Sequence, residues 1–91
     1  MTELRIPTPL RTYTGGESKI QITGHTVAEA LDDLVNLYPD MEQHIFNEDG
    51  QLRPFINLFL GEDNVNDLPQ GLDTPIGEHQ RLLLIPSIAG G

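Results

Sequence analysis

The 91-residue chain carries 14 acidic and 5 basic residues, and its formal net charge of -9 argues against nucleic acid or an anionic membrane surface as a partner. It contains no cysteine, which excludes a disulfide framework, a thiolate zinc site and a cysteine nucleophile. The length fits one small domain, no apolar run approaches the ~20 residues of a membrane span, and the first residues lack the apolar segment of a signal peptide. We therefore expect a cytoplasmic protein that is monomeric when free.

The first predicted element is a β-hairpin. Residues 4–6 begin an alternating strand, but Pro7 and Pro9 each remove a backbone N–H donor, so we expect a bulge or an early strand end there. Residues 13–17 are rich in turn formers, and residues 19–23 alternate polar and apolar side chains with β-branched enrichment, which predicts the second strand.

An amphipathic helix is predicted to follow. Thr26 and Glu29 are spaced as a capping box, in which the Thr26 hydroxyl accepts from the Glu29 amide and the Glu29 carboxylate reaches back to the Thr26 amide. Apolar residues then recur at helical spacing, at Val27, Ala30, Leu31, Leu34 and Tyr38. Pro39 is predicted to end the helix, because the residue before a proline is disfavoured in the αR region.

The second half of the chain predicts two strong strands. These are residues 55–60, ended by Gly61, and residues 80–85, ended by Pro86. Residues 41–49 show no clear period, so we expect a short helical turn at most. The stretch 63–77 is rich in proline and glycine and is predicted to be irregular, with a short edge strand near Asn64 and Val65.

These elements predict an α+β domain over residues 1–86, with one mixed sheet covered by one main helix. The first and last strands must share this sheet if a single helix is to bury their apolar faces. The last strand then lies centrally and anchors a flexible tail, residues 87–91, which ends in Gly-Gly.

Motifs for catalysis and for cofactor binding are missing. The chain has no phosphate-binding loop, dinucleotide fingerprint, zinc-protease motif or serine elbow, and His25, His44 and His79 lack ligand spacing. The acidic run 62–67 resembles a calcium loop only superficially, because Val65 stands where an oxygen ligand is needed. We predict a solvated turn there, no metal site, and a protein that is not an enzyme.

The remaining candidate is the chain end itself. Glycine has no Cβ, so Gly90 and Gly91 could enter a narrow channel and let an enzyme's backbone approach the terminal carboxylate. That carboxylate is ionised at neutral pH and is the right species to attack the α-phosphate of ATP. A frayed end of small residues is the alternative explanation of the motif taken alone.

The whole chain resembles the ubiquitin-like, β-grasp sulfur carriers of the MoaD/ThiS family. The matching segments, in order, are residues 6–11, 13–16, 26–31, 55–60, 85–86 and 89–91. The resemblance implies that an activating enzyme adenylates Gly91 and that the product becomes a thiocarboxylate that donates sulfur. It also implies that Ala89 and Gly90 form the tail required for access. No cofactor is expected on this chain, since ATP, and pyridoxal phosphate or a metal, would belong to partner enzymes.

Three branches of the family compete. Length disfavours the carrier of thiamine thiazole synthesis. The 13–16 turn, the region 57–67 and the 86–91 ending resemble the mycobacterial-type cysteine-synthesis carrier, whose partner is a cysteine synthase. The alternative is the small subunit of molybdopterin synthase, whose partner is that enzyme's large subunit.

Two further functions stay open at this point. A ubiquitin-like protein modifier would need the same activation of Gly91 but a lysine acceptor, and Lys19 is the only lysine of this chain. A plain binding domain would leave the tail idle. Phe59 or Leu60 could contact an activating enzyme if exposed on the sheet, but the alternative is that both belong to the core.

Overall fold

The computed structural model describes residues 1–54, 56–77 and 79–86. In this part of the chain the strands are β1 (Thr2–Arg5), β2 (Lys19–Ile22), β3 (Ile56–Leu60), β4 (Asp63–Asn64) and β5 (Arg81–Pro86). The α-helices are α1 (Val27–Leu37) and α2 (Glu42–Ile45). Short 3-10 helices span Thr8–Thr14, Pro39–Met41, Val65–Asp67 and Gly71–Asp73. None of the described helices is both long and apolar enough to cross a bilayer.

The strands form one mixed sheet in the order β2-β1-β5-β3-β4. The first and last strands, β1 and β5, are parallel neighbours, whereas the β1–β2, β3–β5 and β3–β4 pairs are antiparallel. The predicted α+β architecture with the last strand at the centre of the sheet is therefore confirmed.

The N-terminal hairpin is confirmed, but its connection contains an element that the sequence did not predict. β1 ends at Arg5, and Pro7 leads into the 3-10 helix Thr8–Thr14. A proline is well suited to the start of a helical turn, because its φ is already fixed and its missing donor is not needed there. Gly15 closes this helix in the left-handed region with φ of 64°.

The helix α1 begins at its predicted cap. The Thr26 hydroxyl accepts a hydrogen bond from the Glu29 amide at 3.2 Å. The second hydrogen bond of the predicted capping box was assigned to the wrong donor. The Glu29 carboxylate accepts from the amide of His25 at 3.1 Å, and not from that of Thr26. A carboxylate on the third helical residue reaches the preceding turn in either case, so the helix start still gains two satisfied donors.

The buried face of α1 covers one face of the sheet. The side chains of Val27, Ala30, Leu31 and Leu34 are fully buried, and Tyr38 packs at the margin of the core. From the sheet the core receives Leu4, Ile20, Ile22, Ile56, Leu58, Leu60, Leu82 and Leu84. Each large aliphatic side chain removed from water stabilises the fold by about 1.5–3 kcal/mol, which makes this layer the main source of stability.

The second half of the chain departs from expectation only at element ends. The edge strand is Asp63–Asn64, one residue earlier than expected, because Val65 is buried and begins a 3-10 helix capped by the Asn64 side chain. β5 includes Pro86, which lies opposite Ile56. The short helical turn expected within 41–49 is α2, and Phe55, the predicted start of β3, lies outside the described residues.

Candidate functional site

The strand that leads to the chain end is fixed at the centre of the sheet. In β5, Leu82 and Leu84 are buried beneath α1. Leu83 lies between Arg5 of β1 and Phe59 of β3. Hydrogen-bonded neighbours on both sides and a buried face below therefore hold the middle of β5 in place.

The end of β5 is paired on one side only. β1 pairs with β5 as far as Leu83, whereas β3 pairs with β5 through Pro86. The physical reason is the early end of β1, since the chain turns into the 3-10 helix Thr8–Thr14 after Pro7. Pro86 is the last described residue of the chain, so Ala89, Gly90 and Gly91 lie outside the described residues and their predicted roles stay predictions.

The face of the sheet opposite α1 carries several apolar side chains beside the end of β5. We call this whole face of the sheet the open face. Ile85 is 39% exposed, while Leu83 and Phe59 are half-buried. The expected exposure of Phe59 or Leu60 is thus half right: Phe59 lies on the open face, and Leu60 is in the core at 3% exposure.

The open face is also basic. Arg5, Lys19 and Arg81 are exposed there, on an otherwise acidic chain. The Glu3 carboxylate lies 3.5 Å from Nε of Arg5 and 3.9 Å from Nε of Arg81. The side chains of Arg5 and Arg81 are 48% and 68% exposed, so these ion pairs contribute roughly 0–1 kcal/mol of stability each. Both arginines therefore remain accessible to the carboxylates of a partner.

A cleft of about 370 Å³ extends this basic surface toward the 3-10 helix Thr8–Thr14. Leu83 lines it together with Arg5, Arg11 and Lys19. Nε of Arg11 donates to the carbonyl of Ile6 at 3.1 Å, which fixes that guanidinium at the point where β1 leaves the sheet. Cations and apolar side chains thus meet beside the strand that leads to Gly91.

The histidines do not form a site. The ring of His44 stacks on Tyr13 with centroids 4.0 Å apart, and its Nε2 is buried without a hydrogen-bond partner among the described residues. His25 and His79 are exposed. Across residues 1–54, 56–77 and 79–86, no three His, Cys, Asp or Glu side chains are grouped closely enough to hold a metal ion. The solvated turn predicted for the acidic run 62–67 is only partly right: Glu62, Asp63 and Asp67 are exposed, but the run contains the strand Asp63–Asn64 and a 3-10 helix that begins at the buried Val65.

Known proteins are similar to this chain in both sequence and fold. The sequence matches the ThiS family over residues 4–91. The chain belongs to the ThiS family. Among curated ThiS-family relatives, the sulfur carrier protein CysO of Mycobacterium tuberculosis is 30% identical over 88 residues, which is 94% of each chain. The small archaeal modifier protein 1 of Haloferax volcanii is 36% identical over 66 residues, 72% of this chain and 70% of the relative.

A solved structure supports the same assignment. A chain in the crystal structure of the Amycolatopsis orientalis BexX/CysO complex superposes with a TM-score of 0.89 at 32% identity, with all of both chains covered. The fold is therefore the β-grasp predicted from the sequence, and the protein is of the sulfur-carrier type. ThiS-family carriers are substrates of activating enzymes and not catalysts.

The sequence predicts the chain end as the site, but it did not indicate Leu83 and Ile85 on the open face. The run Leu82-Leu83-Leu84-Ile85 is apolar throughout, so period-2 alternation could not show which side chains point away from the helix. The one available signal was the alternation in β1, where Glu3 and Arg5 mark the solvent face of the strand beside β5.

Proposed function

We propose that this protein carries sulfur as a thiocarboxylate on Gly91 and delivers it to a biosynthetic enzyme, with cysteine synthesis as the destination. The supporting observation is the match to the ThiS family across residues 4–91, which includes the Gly90-Gly91 ending. The ~30% identity to CysO over most of both chains favours the cysteine branch over molybdopterin synthase. We place this chemistry in the cytoplasm.

The proposed reaction has two steps. The Gly91 carboxylate attacks the α-phosphate of ATP, an acyl-phosphate bond forms, and pyrophosphate leaves. Hydrosulfide delivered by the activating enzyme then attacks the acyl carbon, the bond from that carbon to the phosphate oxygen breaks and AMP departs, leaving sulfur in place of one oxygen. The carbon is not oxidised or reduced, and the phosphoanhydride bond of ATP provides the driving force. Ala89 and Gly90 provide chain length that lets Gly91 extend away from the domain, because the five residues after Pro86 can span about 17 Å when extended.

The architecture of β5 suits this role. If several enzymes bind the tail in turn, the strand that carries the tail must stay folded during each binding event. Leu82 and Leu84 anchor this strand in the core, and the flanking strands are hydrogen-bonded to it on both sides as far as Leu83. An enzyme can therefore bind the tail while the domain stays folded.

The open face is proposed as the surface that the activating enzyme contacts. Ile85, Leu83 and Phe59 provide an apolar centre beside the tail, and Arg5, Lys19 and Arg81 provide a basic margin. Interfaces concentrate their binding energy in such a desolvated centre, while the charged margin accelerates encounter with a partner of opposite charge. The expected partner surface is apolar with an acidic margin.

Intact mass spectrometry tests the carrier function. The full chain is incubated with a ThiS-family activating enzyme, Mg-ATP and sulfide, and its mass should rise by the difference between one sulfur and one oxygen atom. A chain lacking Gly90 and Gly91 is the negative control, and Ser87→Ala is the matched control that keeps the ending intact. An unchanged mass, with an activating enzyme that modifies its own carrier, would contradict the proposal.

A protein modifier is the second candidate, because the relative from Haloferax volcanii is named a small archaeal modifier protein. In this case a lysine amine of a target attacks the activated Gly91 and forms an isopeptide bond, with AMP again leaving. Conjugates of the tagged chain that survive denaturation and lose no mass under reducing conditions would favour this function. A thiocarboxylate that turns over without such conjugates favours the carrier.

A further inference from the structure

A cleft of about 350 Å³ lies on the helical side of the molecule, where α1, the segment from α2 to Gly50 and the 3-10 helix Gly71–Asp73 meet. We call it the acidic cleft. Its floor is apolar and consists of Ala28, Val35, Phe46 and Leu72, all half-buried. These side chains come from three separate segments and leave apolar surface that the fold itself does not cover.

Three carboxylates form the rim of the acidic cleft, those of Asp32, Glu42 and Glu48. All three residues are exposed, and no hydrogen bond or ion pair joins their side chains to another described residue. Two other acidic residues of α1 differ in this respect. Asp33 accepts from the amide of Thr23 at 2.8 Å, and Glu29 accepts from that of His25. The rim carboxylates therefore have no structural task within the described chain.

Among the described residues, no lysine or arginine side chain lines the acidic cleft to neutralise this rim. Arg5, Lys19 and Arg81 belong to the open face, while Nε of Arg11 and Nε of Arg53 each donate to a backbone carbonyl. The partner chemistry that complements the acidic cleft is thus basic, and its positive charge has to come from another molecule.

We propose that the acidic cleft binds a basic segment of a partner protein, in which arginine or lysine side chains flank an apolar residue. The methylene stem of such a side chain packs well on an apolar floor while its charged head reaches a carboxylate. Phe46 adds a ring over which a guanidinium is attracted. The rim carboxylates are not grouped closely enough for a metal ion within the described residues, which suits long cationic side chains better than a bound ion.

The position of the acidic cleft makes this inference independent of the proposed sulfur chemistry. α1 covers one face of the sheet, so the acidic cleft and the open face lie on opposite sides of it. A partner bound through its basic segment leaves the open face and the end of β5 uncovered. The protein could then be held by one partner while another handles its tail.

The test uses the full ¹⁵N-labelled chain and a five-residue probe, acetyl-Ala-Arg-Leu-Arg-Ala-amide, followed by NMR. Amide shifts should concentrate at Ala28, Val35 and Leu72, and the same peptide with glutamates for arginines should cause none. The triple variant Asp32→Asn, Glu42→Gln, Glu48→Gln should weaken probe binding by about tenfold or more. Val35→Thr keeps the shape of the floor but adds a hydroxyl. It should weaken probe binding, while the NMR spectrum of the variant remains that of a folded protein.

The matched control removes the same amount of charge elsewhere. The triple variant Glu62→Gln, Asp63→Asn, Asp67→Asn changes three exposed residues that lie outside the acidic cleft, and it should leave probe affinity within about twofold. Equal weakening by both triple variants, or shifts centred outside the acidic cleft, would mean that the probe senses only the net charge, and the proposal would be wrong. A chain without Gly90 and Gly91 should bind the probe unchanged, so this result stands apart from the sulfur-transfer assay.

Discussion

Arg5 lies directly across the parallel β1–β5 pair from Leu83, and this pair is the last of the β1–β5 register. It places a cation and an apolar side chain side by side on the open face at the point where β5 continues with one neighbour only. On the other side of Leu83 lies Phe59. One row across the sheet thus combines the basic and the apolar character that we assign to the partner surface.

Replacing Ile85 by threonine should impair activation without unfolding the protein. Ile85 is 39% exposed on the open face, and threonine keeps the β-branched shape that suits a strand. We expect the KM of the activating enzyme for the carrier to rise by about tenfold with kcat little changed, as for an apolar contact at the centre of an interface.

The control for that experiment is Leu37→Gln. Leu37 is 54% exposed at the end of α1, away from the open face, so its replacement should leave KM unchanged. Steady-state thiocarboxylate formation measures both variants. Equal effects of the two substitutions would remove the open face as the site of contact.

The only lysine of the chain, Lys19, tests whether links between copies of the chain contribute to its function. Lys19→Arg keeps the charge but removes the only side-chain amine of the chain, so links between copies through that lysine cannot form. A sulfur carrier should form its thiocarboxylate at the unchanged rate in this variant, as measured by intact mass. A clear loss of rate would show that Lys19 has a role beyond its charge, since arginine differs in geometry and hydrogen bonding.

Gly24→Ala should be strongly destabilising. A Cβ at Gly24 would lie 2.5 Å from the backbone nitrogen of Ala30 and 2.8 Å from the carbonyl carbon of Glu29, so the first turn of α1 or the end of β2 must move. We expect a loss of about 3 kcal/mol in the free energy of unfolding, measured by urea denaturation.

Gly50→Ala provides the comparison for Gly24. A Cβ at Gly50 meets nothing within 4 Å, and only its φ of +79° opposes a side chain. That strain costs about 1–2 kcal/mol, so the Gly24 variant should be the less stable of the two. The reverse order would contradict the close approach of β2's end to α1.

Removing the cap of α1 should have a smaller effect. Thr26→Ala loses the hydrogen bond from the Glu29 amide to the Thr26 hydroxyl, and we expect a loss of about 1 kcal/mol. Thr12→Ala is the matched substitution, because Thr12 is exposed and its side chain has no hydrogen bond among the described residues. Chemical denaturation of both variants should show a shift for Thr26 alone.

Much of the fold could be predicted because the decisive signals are local. The cap at Thr26, the apolar stripe on α1 and the proline at residue 39 act within one helix, and the structure agrees with them except that Glu29 accepts from His25 instead of Thr26. The 3-10 helix Thr8–Thr14 was missed because its seven residues, which include Pro9, show no helical periodicity. Its formation depends on the burial of Leu10 and Thr14 against distant parts of the chain.

The surfaces were harder to predict than the elements. The parity of β5 is hidden in the apolar run 82–85, so the exposure of Ile85 follows only from its pairing with β3. The acidic cleft requires Val35, Phe46 and Leu72 to meet, and no periodicity in the sequence connects such distant residues. The chain end shows the opposite case: Gly90 and Gly91 can be read directly from the sequence, although the described structure ends at Pro86.

The parallel pairing of β1 with β5 also bears on how the molecule responds to mechanical force. When the two chain ends are pulled apart, adjacent parallel strands slide past each other, so the hydrogen bonds between them are loaded in shear all at once. Strands that peel apart from one end would instead lose these bonds one by one. An ATP-dependent protease that pulls one chain end while the other end is held therefore acts first against the pairing of Glu3–Arg5 with Arg81–Leu83. The rest of the domain should unfold only after these two strands have separated.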